Sequence, residues 1–198
     1  MSIHPYPTPR PLRGLSRTLL RRGSDNPYLR WMIHRQLLVV FMFKKGKKVR
    51  VLFVEQKNDY VSQIAEHFTN QLYPGQYEAY SAGPEKDIID CEMISSMYQC
   101  GEDIRRQVSK DFKDRDYLRE DEEYDVVVFL EKATFDEWAT KTPWQGKQLL
   151  TPMKMRSEFT ATDDLELYHE YVAVMEQVRD WVKENLKDPE KLLSMVSA

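Results

Sequence analysis

The sequence predicts an α/β fold: a three-layer α/β/α arrangement around a four-stranded parallel sheet, with a basic N-terminal extension. Three observations predict it. Val49–Val54 and Tyr124–Leu130 are apolar runs rich in β-branched residues, broken only by Arg50 and Asp125, the composition of strands covered on both faces. The segments between strand candidates carry apolar residues at helical spacing. Strands that alternate with helices in this way form right-handed βαβ units, not hairpins.

Taken in order, "VRVLFV" (Val49–Val54) is the first strand. From Ser62 the period becomes helical, with Ile64, Ala65, Phe68 and Leu72 on one face, and Pro74-Gly75 ends that helix. "QYEAYSAG" is a second strand ending at Gly83. Ile89, Met93, Ile94 and Met97 then repeat at helical spacing, and Gly101 is a helix stop. The charged stretch "KDRDYLREDEEYD" reads as a solvated loop before the strand "YDVVVFL". A short helix over Ala133–Thr140 and a short strand in "KQLLTP" follow. The last helix has the clearest signal: Leu167, Tyr168, Tyr171, Val172, Met175, Val178 and Val182 form a broad apolar stripe, and Asp163 and Glu166 have the spacing of a capping box. Ligands of such folds bind beyond the carboxyl ends of the strands. That places any site at Glu55–Ser62, at Ser81–Gly83 and in the loop before the last helix.

Length and an apolar content of 41% suit one globular domain and exclude disordered, collagen-like and fibrous classes. The net charge of -3 conceals a division. Residues 1–50 hold twelve Lys/Arg and one acid, Asp25, a charge of +11; the remainder holds seventeen basic and thirty-one acidic residues, a charge of -14. Residues 1–47 are thus a basic arm, residues 48–187 an acidic domain and residues 188–198 a tail. The arm suits an acidic protein or an anionic membrane surface. Nucleic acid is the weaker partner, because the domain is acidic and offers no recognition helix or stacking platform.

The Arg-rich "RPLRGLSRTLLRRGS" resembles an organelle transit segment, while "MFKKGKKVRVLFV" reads equally as a cytosolic start at Met42. The apolar run Leu37–Phe43 is too short to span a bilayer. Two cysteines, Cys91 and Cys100, cannot build a disulfide framework, and nine residues apart on a helix they face opposite sides. Their Met-flanked positions read as core packing, and a reducing, cytoplasmic compartment is expected.

The loop after the first strand carries the most specific pattern. Val54, Glu55, Gln56, Lys57, Asn58, Asp59, Tyr60, Val61 and Ser62 are followed by Ile64, Ala65 and Glu66. Ser81-Ala82-Gly83, "GEDI" (Gly101–Ile104), Ser109-Lys110 and "YDVVVFL" come at matching distances. The stretch from Lys48 to Leu186 resembles the low-molecular-weight protein tyrosine phosphatase and arsenate reductase superfamily. Its signature is a strand ending V-C, five residues, then R-S and a helix.

In that family a thiolate attacks phosphorus, loop amides and a helix N-terminus lower its pKa, an arginine grips the equatorial oxygens and an aspartic acid protonates the leaving group. Here Glu55 stands in place of the nucleophile, Val61 in place of the arginine and Lys57 in place of a glycine. The nearest candidate acid is Asp164, and Asp163 and Asp164 are equally explained as helix-capping carboxylates. The late strand is followed near Glu131 by no redox cysteine. The resemblance therefore implies a catalytically inactive, protein-binding domain that needs no cofactor.

Two readings of the loop follow. In one, the Glu55 carboxylate folds in and accepts the amides that would have held phosphate, with Asn58 and Ser62 shaping the turn. In the other the turn has relaxed and Asn58 and Ser62 are helix-capping residues. The alternative function is phosphoryl transfer with Glu55 as nucleophile or base and Lys57 as the phosphate-binding cation. A metal site from Glu55, His67, Asp163 and Asp164 lacks paired-ligand spacing.

Overall fold

The computed structural model describes residues 47–145 and 147–196. The basic arm, the transit-like segment and the run Leu37–Phe43 lie outside the described residues. Four strands, β1 (Val49–Val54), β2 (Tyr77–Ala82), β3 (Val126–Phe129) and β4 (Gln148–Leu150), form one sheet in the order β2-β1-β3-β4. All pairings are parallel, with Val54 opposite Ala82 on one side and Phe129 on the other. The chain turns to opposite sides of the sheet after β1 and after β3, so the carboxyl end of β1 opens onto the point where ligands of such sheets bind.

Side chains alternate along β1 and β3 and divide the interior into two cores. Val51, Phe53, Val126 and Val128 face helices α1 (Val61–Leu72), α2 (Cys91–Gln99), α4 (Asp164–Asn185) and α5 (Pro189–Met195). Leu52, Val54, Val127 and Phe129 face the other way, against Trp144, Phe112 and helix α3 (Lys132–Trp138). This is why β3 is apolar at every position and β1 at all but Arg50: a run buried on both sides has no polar face.

The helix ends obey local rules. Asp90, Asp163 and Asp188 each accept the first free amides of α2, α4 and α5. Gly101, at φ +88°, closes α2 in a Schellman turn: its own N–H donates to Tyr98 O and that of Glu102 to Met97 O.

Three expectations are corrected. Glu166 does not complete a capping box with Asp163; its carboxylate accepts instead from the backbone N–H and hydroxyl of Thr162, one residue upstream. Cys91 and Cys100 are free thiols but exposed, because α2 buries only Met93, Ser96 and Met97. The segment expected as a tail from residue 188 carries α5, whose Leu192 is fully buried in the main core. No helix among the described residues is long and apolar enough to cross a membrane.

The β2 edge of the sheet is guarded. Asn70 on α1 donates its amide to Ala79 O at 2.9 Å and accepts from Ala79 N at 3.0 Å, standing in for a neighbouring strand. Asn70→Ala is expected to cost about 1–2 kcal/mol in urea unfolding by orphaning both backbone groups, with added self-association visible by light scattering. An unchanged midpoint would show that the carboxamide does not protect this edge.

Candidate functional site

Between β1 and α1 the chain makes one tight loop, Glu55–Tyr60, which ends at the N-terminus of α1. Asn58 adopts φ +51°, a left-handed conformation that asparagine tolerates. Its side chain holds that geometry from three directions: Nδ2 donates to Ser62 Oγ at 2.7 Å, and Oδ1 accepts from Lys110 N at 2.7 Å and Gln63 Nε2 at 2.9 Å. Gln63 also donates to Asn58 O. Neither Asn58 nor Ser62 caps α1, which begins after Tyr60 with no side-chain cap. Gly83 supports the loop from below: a Cβ there would lie 2.4 Å from Glu55 O and 2.6 Å from Gln56 O. Ser81 reaches away from it, donating to Glu66 Oε2, which also accepts from the buried Lys110 ammonium at 2.9 Å.

Glu55 turns into this loop and is only 1% exposed. Its Oε1 accepts from Tyr60 N at 2.7 Å and from Ser62 Oγ at 2.8 Å. Its Oε2 is buried without a hydrogen-bond partner, as is the Tyr60 hydroxyl. Burial is the larger influence and pushes the Glu55 carboxyl up to about 7, against the lowering effect of the Tyr60 amide and the Ser62 hydroxyl; the nearby Asp59 adds to the rise. Asp59 is itself raised, chiefly by burial.

A second carboxylate reaches the same loop. Glu131, just past the end of β3, accepts from Gln56 N at 3.0 Å and from Thr134 Oγ1 at 2.6 Å. Two amides of the loop, those of Gln56 and Tyr60, therefore have carboxylates of this chain as partners.

The other predicted residues are placed as follows. Val61 is fully buried and packs in the main core beside Ile64. Lys57 is half exposed and ion-paired with Asp87 at 2.8 Å, and that hydrogen bond holds Asp87 below the usual carboxylate range. Asp163 caps α4, and Asp164, in the first turn of the same helix, faces a cleft shared with Ser95, Ser96 and Gln99 of α2. No hydrogen bond or ion pair joins Asp164 to the loop. His67 bonds Glu102 at 2.8 Å. The four candidate metal ligands are thus not brought together, and among the described residues no group of three or more His, Cys, Asp or Glu is placed to hold a metal.

Sequence reasoning missed the wall beside the loop. The Tyr60 ring packs edge-on against Phe159 and Tyr171, with centroids 6.1 and 5.6 Å away. The Arg156 guanidinium lies 5.0 Å from the Phe159 centroid and 5.7 Å from that of Tyr171. The Tyr171 hydroxyl donates to Asp90 Oδ2 at 2.5 Å.

A family model for the low molecular weight phosphotyrosine protein phosphatases matches residues 50–194. The chain belongs to that family. Solved structures with the same fold include a low molecular weight protein tyrosine phosphatase from T. tengcongensis, at 20% identity and TM-score 0.54, covering 69% of this chain and 99% of that one. Wzb from Vibrio vulnificus, in complex with benzylphosphonate, gives 18% identity and TM-score 0.52 over 69% and 99% of the two chains. An arsenate reductase in its reduced state gives 24% identity and TM-score 0.52 over 69% and 95%. No curated protein sequence matches the chain. At these identities the likeness concerns the fold. Within the family, this member carries Glu55 and Val61 here, and Glu55 and Glu131 accept from the amides of Tyr60 and Gln56.

Proposed function

We propose that this domain is a catalytically inactive phosphatase-fold protein, kept as a protein-binding, scaffold or regulatory module and tethered to a larger assembly through its basic segment 1–47. The observation that carries the reading is the occupation of the loop amides of Tyr60 and Gln56 by Glu55 and Glu131. A phosphoryl dianion brought to this loop meets two carboxylates where a phosphatase of this design offers free donors. It finds no guanidinium from position 61, where Val61 is buried in the core. Loss of one such stabilising group costs about 3–4 kcal/mol of transition-state stabilisation, and the losses here fall on the nucleophile as well.

The alternative, phosphoryl transfer by Glu55 with Lys57, is poorly served by the geometry. One oxygen of Glu55 is engaged twice and the other is buried. Lys57 is held by Asp87. The arm, basic in charge, suits an acidic or membrane-associated protein partner.

The purified full chain is expected to hydrolyse a generic aryl phosphate no faster than buffer, and Glu55→Ala is expected to leave that rate unmoved. Turnover by the wild-type chain that disappears with Glu55→Ala would replace this reading with the enzymatic one.

A further inference from the structure

The side chain that fills the loop is poorly compensated once it ionises. Glu55 Oε1 accepts from Tyr60 N and Ser62 Oγ, while Oε2 is buried with no partner. Among the described residues no cation pairs with it, and the groups around it are mostly of its own sign. Asp59 belongs to the same loop, and Glu131, past β3, accepts from Gln56 N. Asp90 and Tyr171, from α2 and α4, are bonded to each other and face the buried, partnerless Tyr60 hydroxyl beside Glu55. The nearby cations are engaged: Lys57 with Asp87, Lys110 with Glu66, and Arg156 with the rings of Phe159 and Tyr171. A neutral carboxyl suits this place. A carboxylate lacks both solvent and counter-charge there. The backbone of the loop is fixed independently of the side chain: Asn58 is held by Ser62, Gln63 and Lys110, and Gly83 packs beneath Glu55 O and Gln56 O.

We propose that Glu55 is a proton-controlled plug: protonated, it stays in the loop; ionised, it turns out to water and leaves the Tyr60 amide and Ser62 hydroxyl open to a tetrahedral oxyanion. The direction follows from the cycle that joins the two positions. Burial disfavours the charged form inside and water favours it outside, so loss of the proton moves the side chain outward. Inside the loop the carboxyl is pushed up to about 7, which sets the exchange near neutral pH. An oxyanion that takes the vacated donors also displaces the proton, and so binds better as pH rises. That is the reverse of anion binding by surface histidines, which weakens as they lose charge. Binding stays weak, because Glu131 keeps the Gln56 amide and Val61 supplies no guanidinium. The inference goes beyond inactivity: it concerns what occupies the loop, and does not depend on whether the domain turns over a phosphate ester.

The test is an amide NMR titration of the full chain with sodium sulfate, at about pH 5.5 and about pH 8, with sodium chloride of equal ionic strength as reference. Sulfate is the probe because it remains a dianion across this range, so any change in affinity belongs to the protein. The amides of Tyr60 and Ser62 are expected to shift, with an affinity about tenfold higher at the upper pH. Glu55→Gln keeps an oxygen for the Tyr60 amide without a charge, and is expected to lose the pH dependence and bind no better at the upper pH than at the lower. Glu55→Ala removes the plug and is expected to bind at both pH values with equal affinity. Wild-type binding that is absent at pH 8, equal at the two pH values or tighter at the lower would overturn the inference. So would a pH dependence that survives Glu55→Gln, or a folded Glu55→Ala that ignores sulfate. Aryl phosphate hydrolysis on the same sample is read separately: turnover counts against the inactive-domain reading alone, and a silent protein without the sulfate response counts against the plug alone.

Discussion

Glu55→Gln is expected to make the protein more stable at pH 8 and to leave it unchanged near pH 4.5. In the folded chain the Glu55 carboxyl titrates at about 7, raised from 4.5 chiefly because burial disfavours its charged form. A group whose folded pKa is raised binds its proton more tightly in the native state. Stability therefore falls as pH rises from the unfolded value to the folded one and then stays at the lower level. The window is about pH 4.5 to 7, and the shift corresponds to about 3 kcal/mol for the ionised form. Glutamine keeps an oxygen for the Tyr60 amide and the Ser62 hydroxyl, and puts a neutral NH₂ at the partnerless Oε2, as the protonated acid puts an O–H there. Urea unfolding of both proteins across the window measures the effect. The wild type should lose stability relative to the variant as pH rises, and parallel curves would mean that Glu55 ionises at no unusual cost.

Such a cost has a bearing on function. A charged group kept in a site where it destabilises the fold is commonly kept for what it does there. In this protein Glu55 accepts from the Tyr60 amide of the loop and receives no compensating cation: Lys57 belongs to Asp87 and Lys110 to Glu66. The loop amides and one hydroxyl are the whole of its compensation. Glutamine would keep the loop occupied while removing the charge, so the variant separates filling the cradle from repelling an anion.

What could be read from the residues was whatever depended on local pattern. β1 and β3 announced themselves because the stretches Val51–Val54 and Val126–Phe129, buried on both faces, must be apolar throughout. Gly101 and the cap at Asp163 follow rules that operate within a few residues. What was not legible depended on contacts between distant parts of the chain. Glu131 bonds the amide of Gln56 across 75 positions, and nothing in its own neighbourhood marks it for that task. Lys110 reaches Asn58 and Glu66, and Arg156 lies over Phe159 and Tyr171, for the same reason: the fold brings them there. The cysteines were misplaced because helical spacing around Met93 and Met97 fixes a buried stripe but not its width, and α2 is too amphipathic to bury its flanks. The last helix was missed because Pro189–Met195 is short and buries only Pro189 and Leu192.

Gly83→Ala tests whether the loop retains the stiffness of an anion cradle. A methyl group at position 83 would come within 2.4 Å of Glu55 O, 2.6 Å of Gln56 O and 2.9 Å of Glu85 O. All three atoms are backbone, so no side chain can swing aside. The backbone cannot easily retreat either: Gly83 donates to Lys110 O and accepts from Phe112 N, and Glu85 N donates to Gln56 O. Asn58 is meanwhile pinned by Lys110 and Gln63. Overpacking against fixed atoms of this kind is expected to cost about 3 kcal/mol. Gly75→Ala is the matched control, since a Cβ there meets nothing within 4 Å, and its stability should change by no more than about 0.5 kcal/mol. If both substitutions unfold at the same denaturant concentration, the loop has relaxed away from the shape described and Glu55 is merely one conformer among several. If Gly83→Ala alone collapses, and the amide signals of Tyr60 and Ser62 move with it, then the cradle is held rigid around a carboxylate as firmly as it would be around a phosphate.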